Sequence, residues 1–592
     1  ISDREHFCVL WVTFAPPKLK QISRPPFSMS TSLKIKQLFS FLVVFDVQAQ
    51  DVESMNIKNP FQFHGNVNLQ LDYYKAKGIS ARQKEFSWLI NGNPVLTVLG
   101  VDIPLSFVLS NFENKFYQPF NQFGISPKYK WATLHLGYRN LTYSNYTLAG
   151  HRILGAGFDL KPKNFRIGFM YGQLRRSASI DSSMNANPMY VRPAPTYKRL
   201  GMAAKLGYSF KKNYVDLVFF KGWDKTSSLS DKLKDSVMPA ENTSIGIISS
   251  INFLQKFSWV VDLGISAFTL NREDGRDTSG IKKEWPKNLI SILVKDKVST
   301  HYYFAGETRL GYQEKKWGAQ LIIKRIDPGY QSMGAYFFQH DIQEYSFANN
   351  FKLDSGKLSI NTNIGFQKDN LKKQKTSTSK RFIGSANISY IPSQKFGINF
   401  NFSNYGITNN PLPTSMGNEL FKQVNNSFML MPFFFWTNEK AIKNLNIIAT
   451  YQSLKTPQSS LGSMPDMNSY SLTGAFSNTW IQRGINANVS VNYINSKIAA
   501  GDISSYGGTL GGMVPIAKKR IMVNASASYL QNLFKGTSNG NSIRASVGFL
   551  VPVGTRHNFQ LQGNYLNNTS KDVTIIQNFN ETNVQFIYGL TF

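Results

Sequence analysis

The chain ends in "NVQFIYGLTF", residues 583–592. Taken in twos, Val584, Phe586, Tyr588, Leu590 and Phe592 share one face; Asn583, Gln585, Gly589 and Thr591 share the other, and Ile587 is the one exception. A two-residue period is that of a half-buried β-strand. The question it raises is why an aromatic-rich strand comes last, with no polar tail behind it.

The same split recurs upstream. In 396–405 ("FGINFNFSNY") and 485–493 ("INANVSVNY") an apolar face alternates with one of amides and hydroxyls, and 357–366, 443–451, 521–529 and 557–566 repeat the pattern. Aromatics make up 14% of the 592 residues, and long runs with a 3.6-residue period are missing. The chain therefore reads as all-β and, having no linker or composition break, as one large object.

Alternation alone does not separate a sandwich from a barrel, but connection lengths do. Short turns at 161–163, 211–213, 255–256, 314–316, 354–356, 393–395 and 518–519 take turns with longer polar stretches. The latter include 176–197, 225–240, 271–299, 327–341, 368–378, 407–421, 455–467, 494–502, 531–540 and 567–581. This is the rhythm of a closed up-and-down antiparallel transmembrane β-barrel, in which odd connections emerge on one side and even ones on the other. Counting back from Phe592 gives about 24 strands (22–26), the first near 62–74 and the second near 94–109, with "QKEFSWLI" (83–90) as a possible extra strand. An even count puts both termini on one side, the periplasmic one for an exported chain. Strands running outward end on Tyr405, Tyr451, Tyr493, Tyr529 and Tyr565, all in register with the apolar face, as an aromatic girdle requires.

Residues 1–28 lack an initiating Met and any periodicity, and are expected to be an upstream segment foreign to the fold. Residues 29–49 carry Lys34 and Lys36, an apolar run from Leu38 to Phe45 and Val47-Gln48-Ala49, the pattern of a secretory signal peptide. A short periplasmic segment, 50–61, then leads into a single barrel, 62–592. Cys8 is the one cysteine, so the exported part has no disulfide or thiolate chemistry, and the histidines show no ligand spacing. Removing residues 1–49 takes six basic and three acidic residues and moves the net charge from +31 to +28. For an exported chain that charge suits anionic lipid rather than nucleic acid.

On the signal peptide, the turn rhythm, the girdle and the terminal "QFIYGLTF", residues 60–592 resemble the outer-membrane β-barrel proteins of Gram-negative bacteria, most of all the large barrels of Bacteroidota. The resemblance implies that Phe586, Tyr588 and Phe592 carry the signal read by the barrel-assembly machinery. TonB-dependent receptors of similar size carry a plug of more than a hundred residues. Here about a dozen residues precede the first strand, so a plugged receptor is not expected, and fimbrial ushers add domains not found here.

A 24-stranded barrel is wider than porins, which already hold an aqueous channel, so something is expected to fill or gate it. The candidate is 111–128, "NFENKFYQPFNQFGISPK", placed on the short-turn side and carrying Phe112, Phe116, Tyr117, Phe120 and Phe123. A docking patch for a periplasmic partner and an aromatic-rich hairpin are the other readings of it. The expected lumen face is mostly neutral amide, namely Asn361, Asn363, Asn399, Asn401, Asn486, Asn488, Asn524, Gln560, Gln562 and Asn564, with Arg166 and Asp216 as scattered charges. Amides both donate and accept, which suits neutral polar solutes. The basic runs 281–287 and 371–381 are expected outside, near lipopolysaccharide phosphates. No cofactor is expected. Glu273, Asp274 and Asp277 lack calcium-loop spacing, and no catalytic motif appears, so no enzyme is expected. The expected function is a gated or passive channel for polar solutes or an exported polymer. The alternative is a non-transporting barrel that anchors or helps export a surface protein.

Overall fold

The structure, a computed structural model, describes residues 60–592 apart from 112–120, 179–194, 235–236, 280–284, 336–338, 375–377, 379, 410–420, 459–465, 499–500 and 572–576. Residues 1–28 and 29–49 and most of 50–61 lie outside the described residues. Twenty-nine strand segments form one antiparallel sheet that closes on itself. Three staves are each broken into two segments, interrupted at Gly65, at Asn93-Pro94 and at Ser126-Pro127. Proline has no N–H for the ladder, and Gly65 sits at φ 141°, so these are local breaks in otherwise continuous staves. The wall thus has 26 staves, against the expected 24 or so.

The two uncounted staves lie near the start. What reads as one strand, 94–109, is a hairpin. Leu99 and Gly100 both take positive φ (51° and 87°) and turn Val95–Val98 back against Val101–Ser110. Two residues at positive φ make the turn whose twist matches the flanking strands. Phe86–Gly92 belongs to the same stave as Val95–Val98, and Gln122–Ile125 with Lys128–Tyr129 forms a stave of its own. The connection 111–121 therefore leaves the wall at the long-connection end, not at the short-turn end where the sequence placed it.

Asn66–Lys77 pairs with Phe579–Thr591 from Asn66↔Thr591 to Lys77↔Asn580 and closes the ring. Gly65 and Phe592 exchange backbone hydrogen bonds (2.9 and 3.1 Å), and the Phe63 ring stacks on that of Phe592 at 4.3 Å. Closure removes both sheet edges. Lysines at positive φ recur in the short turns, at Lys163, Lys211, Lys518 and Lys519.

Faces alternate as the pleat demands. On Asn213–Lys225, Val215 and Leu217 are exposed, whereas Asp216, Val218 and Phe220 are buried on the inner side. Tyr451, Tyr493, Tyr529 and Tyr565 are exposed on the outer face; Tyr405 lies in Phe396–Asn409, but its side chain is outside the described residues. A second aromatic belt rings the short-turn end, with Phe165 against Tyr208 (5.5 Å), Phe257 against Tyr312 (4.9 Å) and Phe559 against Tyr588 (4.9 Å). From Tyr470 in the upper belt to Trp480 in the lower is ten residues of one strand. That is about 33 Å of strand and, at a tilt of about 45°, roughly 23 Å of height, close to the ~25 Å apolar band of a membrane barrel. Twenty-six staves spaced about 4.8 Å apart at that tilt enclose a ring roughly 55 Å across its backbones.

Candidate functional site

Two long connections turn into the ring instead of away from it. Residues 141–151 join Ala132–Asn140 to Arg152–Leu160, and residues 327–341 join Trp317–Ile326 to Ile342–Leu353. The first, "LTYSNYTLAGH", folds on itself through Leu148 N–H to Ser144 O (3.1 Å) and Tyr143 N–H to Leu148 O (2.9 Å). It then docks on the wall: Ser144 Oγ donates to Asp262 Oδ1 (2.6 Å) and the Asn145 N–H to Asp262 Oδ2 (3.0 Å). The second connection clamps the first. Tyr330 Oη donates to Tyr146 O (2.6 Å), Ser332 Oγ to Thr147 O (3.0 Å), and Ala149 N–H to Gly334 O (2.9 Å). Leu148 is fully buried with Ile153, Met170, Val218, Phe220 and Met333, a hydrophobic core inside the barrel rather than between layers.

The wall makes room for this core with small residues. Gly246 and Gly264 are register partners on the inner face. A Cβ on Gly246 would stand 2.8 Å from Thr147 Cγ2, and one on Gly264 would stand 2.7 Å from Tyr146 Cβ. Those distances are below any real contact, so the loop lies where only glycine lets it lie. Burial raises the pKa of the Tyr143, Tyr146 and Tyr330 hydroxyls, so all three stay neutral, and Tyr330 is the donor to Tyr146 O. His151, at the end of the first connection, is pulled down to about 3 by burial, with the positive charges of Arg199 and Arg175 adding to the effect.

Several charges around the docked loops are paired. Asp224 accepts two hydrogen bonds from Arg199 (2.8 and 3.0 Å), one from Arg175 (3.4 Å) and one from the Ala240 N–H (3.2 Å). Arg166 and Asp216, both expected in the lumen, form an ion pair at 2.9 Å on the inner face. Nearby, Ser126 Oγ lies 2.8 Å from His135 Nδ1, and His135 Nε2 lies 3.0 Å from Asp159. The line has the order of a nucleophile, base and acid, but its surroundings are those of a tether. The Ser126 N–H is already committed to Pro104 O (3.0 Å), Ser126 is buried, and Asp159 is shared with Lys205 (3.6 Å). Lys205 in turn sits 4.5 Å above the Tyr143 ring, which ties this end of the line to the docked loop.

The rest of the inner wall is different. Asn361, Asn387 and Asn401 are successive register partners, and so are Asn524, Gly548 and Gln562. By the same register and the two-residue period, Asn363, Asn399, Asn486, Asn488, Gln560 and Asn564 also fall on the inner face. A concavity of about 760 Å³ runs along Gln320, Asn350, Asn361, Asn387 and Asn401, and one of about 1090 Å³ along Gln70, Asp72, Arg544, Asn564 and Gln585.

No protein-family model and no curated protein matches the chain. Among solved structures the barrel is similar to OccK8 (OprE) of Pseudomonas aeruginosa at 9% identity, covering 64% of this chain and 98% of that one, with a TM-score of 0.29. It is similar to the ferric yersiniabactin uptake receptor FyuA of Yersinia pestis at 8% identity, covering 90% and 80%, with a TM-score of 0.41. The translocation pore of the P pilus usher PapC gives 10% identity, 90% and 99% coverage and a TM-score of 0.35.

Of the aromatic segment expected to gate the lumen, Phe112, Phe116, Tyr117 and Phe120 lie outside the described residues. Phe123 is described and faces outward: it pairs with Phe107, packs edge-on against Tyr138 (6.1 Å) and is 62% exposed. Phe586 and Tyr588 stand on the outer face of the closing strand, where Tyr588 Oη lies 2.9 Å from His557 Nδ1. The elements found inside the barrel, 141–151 and 327–341, were not singled out as gating elements by the sequence. For the first a signal was present: 141–150 carries no charged side chain, whereas each of the other long connections carries at least one.

Proposed function

We propose that the chain is an outer-membrane β-barrel of the Gram-negative, Bacteroidota-like kind that conducts neutral polar solutes or an extended polar polymer along the amide-lined part of its lumen. The docked stretches 141–151 and 327–335 form the constriction. Short turns and both termini face the periplasm, and the long connections face outward. The barrel-assembly machinery reads Phe586, Tyr588 and Phe592, and lipopolysaccharide surrounds the outer rim. Neither a cofactor nor catalysis is part of the mechanism.

The observation that carries this reading is the unequal lumen. One stretch of wall holds glycines and paired charges under two docked loops; the other presents amides and hydroxyls to a concavity. Amides offer a passing solute hydrogen bonds to replace those it makes to water without selecting a sign of charge. The test is reconstitution in planar bilayers and in liposomes. The proposal expects discrete channel openings with weak ion selectivity, and swelling in neutral sugars. A barrel that inserts but stays electrically silent, and that co-purifies with a surface protein, would favour the anchoring role instead.

A further inference from the structure

The long connection between Phe257–Thr269 and Thr300–Gln313 sends a short finger back over the outer wall. Lys287–Ile290 is a single helical turn, followed by a 3-10 turn, Ser291–Leu293. Ile290 is fully buried against Ala267 and Tyr302, with Ile245, Ile265 and Val294 around them. Those wall residues belong to the outward face, because their sequence neighbours Ser266 and Tyr303 are the inward register pair. The Trp285 ring packs on Phe304 at 5.2 Å. Two ion pairs hold the finger's base, Lys287 to Asp296 (2.6 Å) and Lys297 to Glu241 (3.3 Å).

What the finger presents outward is apolar: Ile292 is 95% exposed, and Leu289, Leu293 and Trp285 are exposed beside it. Bases flank this tip. Lys295 is exposed in the finger beside it, while Lys287 at the base is held by Asp296. On the nearby outer wall, Lys198 and Lys225 are register partners near the same end of the barrel.

We infer that this finger is a lipid-seating element: its tip enters the outer leaflet, and Lys295 with the lysines of the wall beside it meets the phosphates of anionic headgroups. The inference rests on the membrane-barrel reading above. A protein partner fits less well, since a stable interface takes about 800 Å² from each side and some 20–30 residues, whereas this tip offers four apolar side chains. Apolar tips ringed by lysine are the chemistry of a membrane interface, where the apolar face enters the headgroup–acyl boundary and the bases stay at the surface.

The test uses the full barrel in phosphatidylcholine vesicles, with and without phosphatidylglycerol, and with acyl chains brominated either near the headgroup or near the chain end. The Trp285 signal is the difference between the parent protein and Trp285→Phe. The expected result is loss of the Trp285 component with shallow bromine and less loss with deep bromine. A double change, Leu289→Asn with Ile292→Asn, should abolish that quenching while the wall tryptophans Trp259 and Trp317 stay quenched. Lys295→Gln should weaken the preference for the anionic vesicles roughly five-fold. Wall tryptophans quenched but Trp285 untouched would overturn the inference and leave the barrel reading intact. A dimer in detergent that Ile292→Asn dissociates would overturn it in favour of a second copy. If no tryptophan is quenched, the membrane reading itself fails.

Discussion

Gly264→Val tests the constriction directly. The side chain would enter from the wall, with its Cβ 2.7 Å from Tyr146 Cβ and 3.1 Å from Tyr330 Oη. The strand itself tolerates valine, which suits a pleated wall. The strain is relieved only by movement of the docked connection. Overpacking of this kind costs about 1–3 kcal/mol, and at about 1.4 kcal/mol per tenfold the docked-to-undocked ratio falls by roughly five- to 150-fold. Tyr330→Phe attacks the same contact from the other side. It removes the 2.6 Å bond to Tyr146 O, about 0.5–1.5 kcal/mol. Because both changes act on Tyr146, their effects should not add. The assay is single-channel recording, reading the time spent in the largest conductance state, with Gly474→Val as control because a Cβ there meets nothing within 4 Å. Both test variants should lengthen that state and the control should not. Normal circular dichroism with unchanged currents in Gly264→Val and in a deletion of 143–148 would refute the constriction.

Acid should loosen the same loop. His151 has a docked pKa of about 3 against an ordinary value near 6.5, so the undocked loop binds the extra proton between those limits. Docking is therefore independent of pH above about 6.5 and loses about 1.4 kcal/mol per unit as pH falls below it. Openings should become longer toward pH 4.5 in the parent and much less so in His151→Gln, which channel recordings across that range would show. Asp224→Asn leaves Arg175 and Arg199 facing each other without their carboxylate; a loss of about 3–5 kcal/mol is expected, read as a lower urea midpoint, with Asp224→Glu retaining most of it. Deleting Phe592 removes the stack on Phe63 and the two bonds to Gly65, and should lower the amount of assembled barrel without changing the conductance of molecules that do assemble.

The barrel was legible because its physics is periodic. A two-residue alternation and a rhythm of short and long connections hold for most of the chain, and neither depends on tertiary context. The count fell two short where local signals conflict with the wall. "VLTVLGVDIPL" (95–105) turns at Leu99-Gly100 without a polar residue to mark it, because one face of both arms is apolar. "QFGISPKY" (122–129) carries Gly124 and Pro127, both poor strand residues, and becomes a stave because its neighbours supply the partners, as Leu134 N–H does to Pro127 O at 2.9 Å. Those two staves also decide at which end 111–121 emerges, so one local ambiguity moved the expected gate to the wrong end of the barrel.

The docked loops were hidden for a different reason. Their place is set by the wall beneath them, through residues far away in sequence, such as Asp262 for Ser144 and Gly246 for Thr147. Once known, that wall explains the path through the lumen. Asp262 on the inner face needs donors, and the loop supplies them; Asp216 and Asp224 take theirs from arginines. A stretch of wall carrying such groups is costly to leave dry and uncapped. The amide stretch has no such need. Thr473 donates to Asn492 (2.9 Å), Asn486 to Thr479 (2.8 Å), and Ser526 shares a hydrogen with Ser546 (2.8 Å). Each group is half-satisfied by its neighbour and left with capacity for water or a solute. A wall that calls for a cap and a wall that does not are joined in one ring, so the solute path proposed above follows the amides rather than the barrel axis.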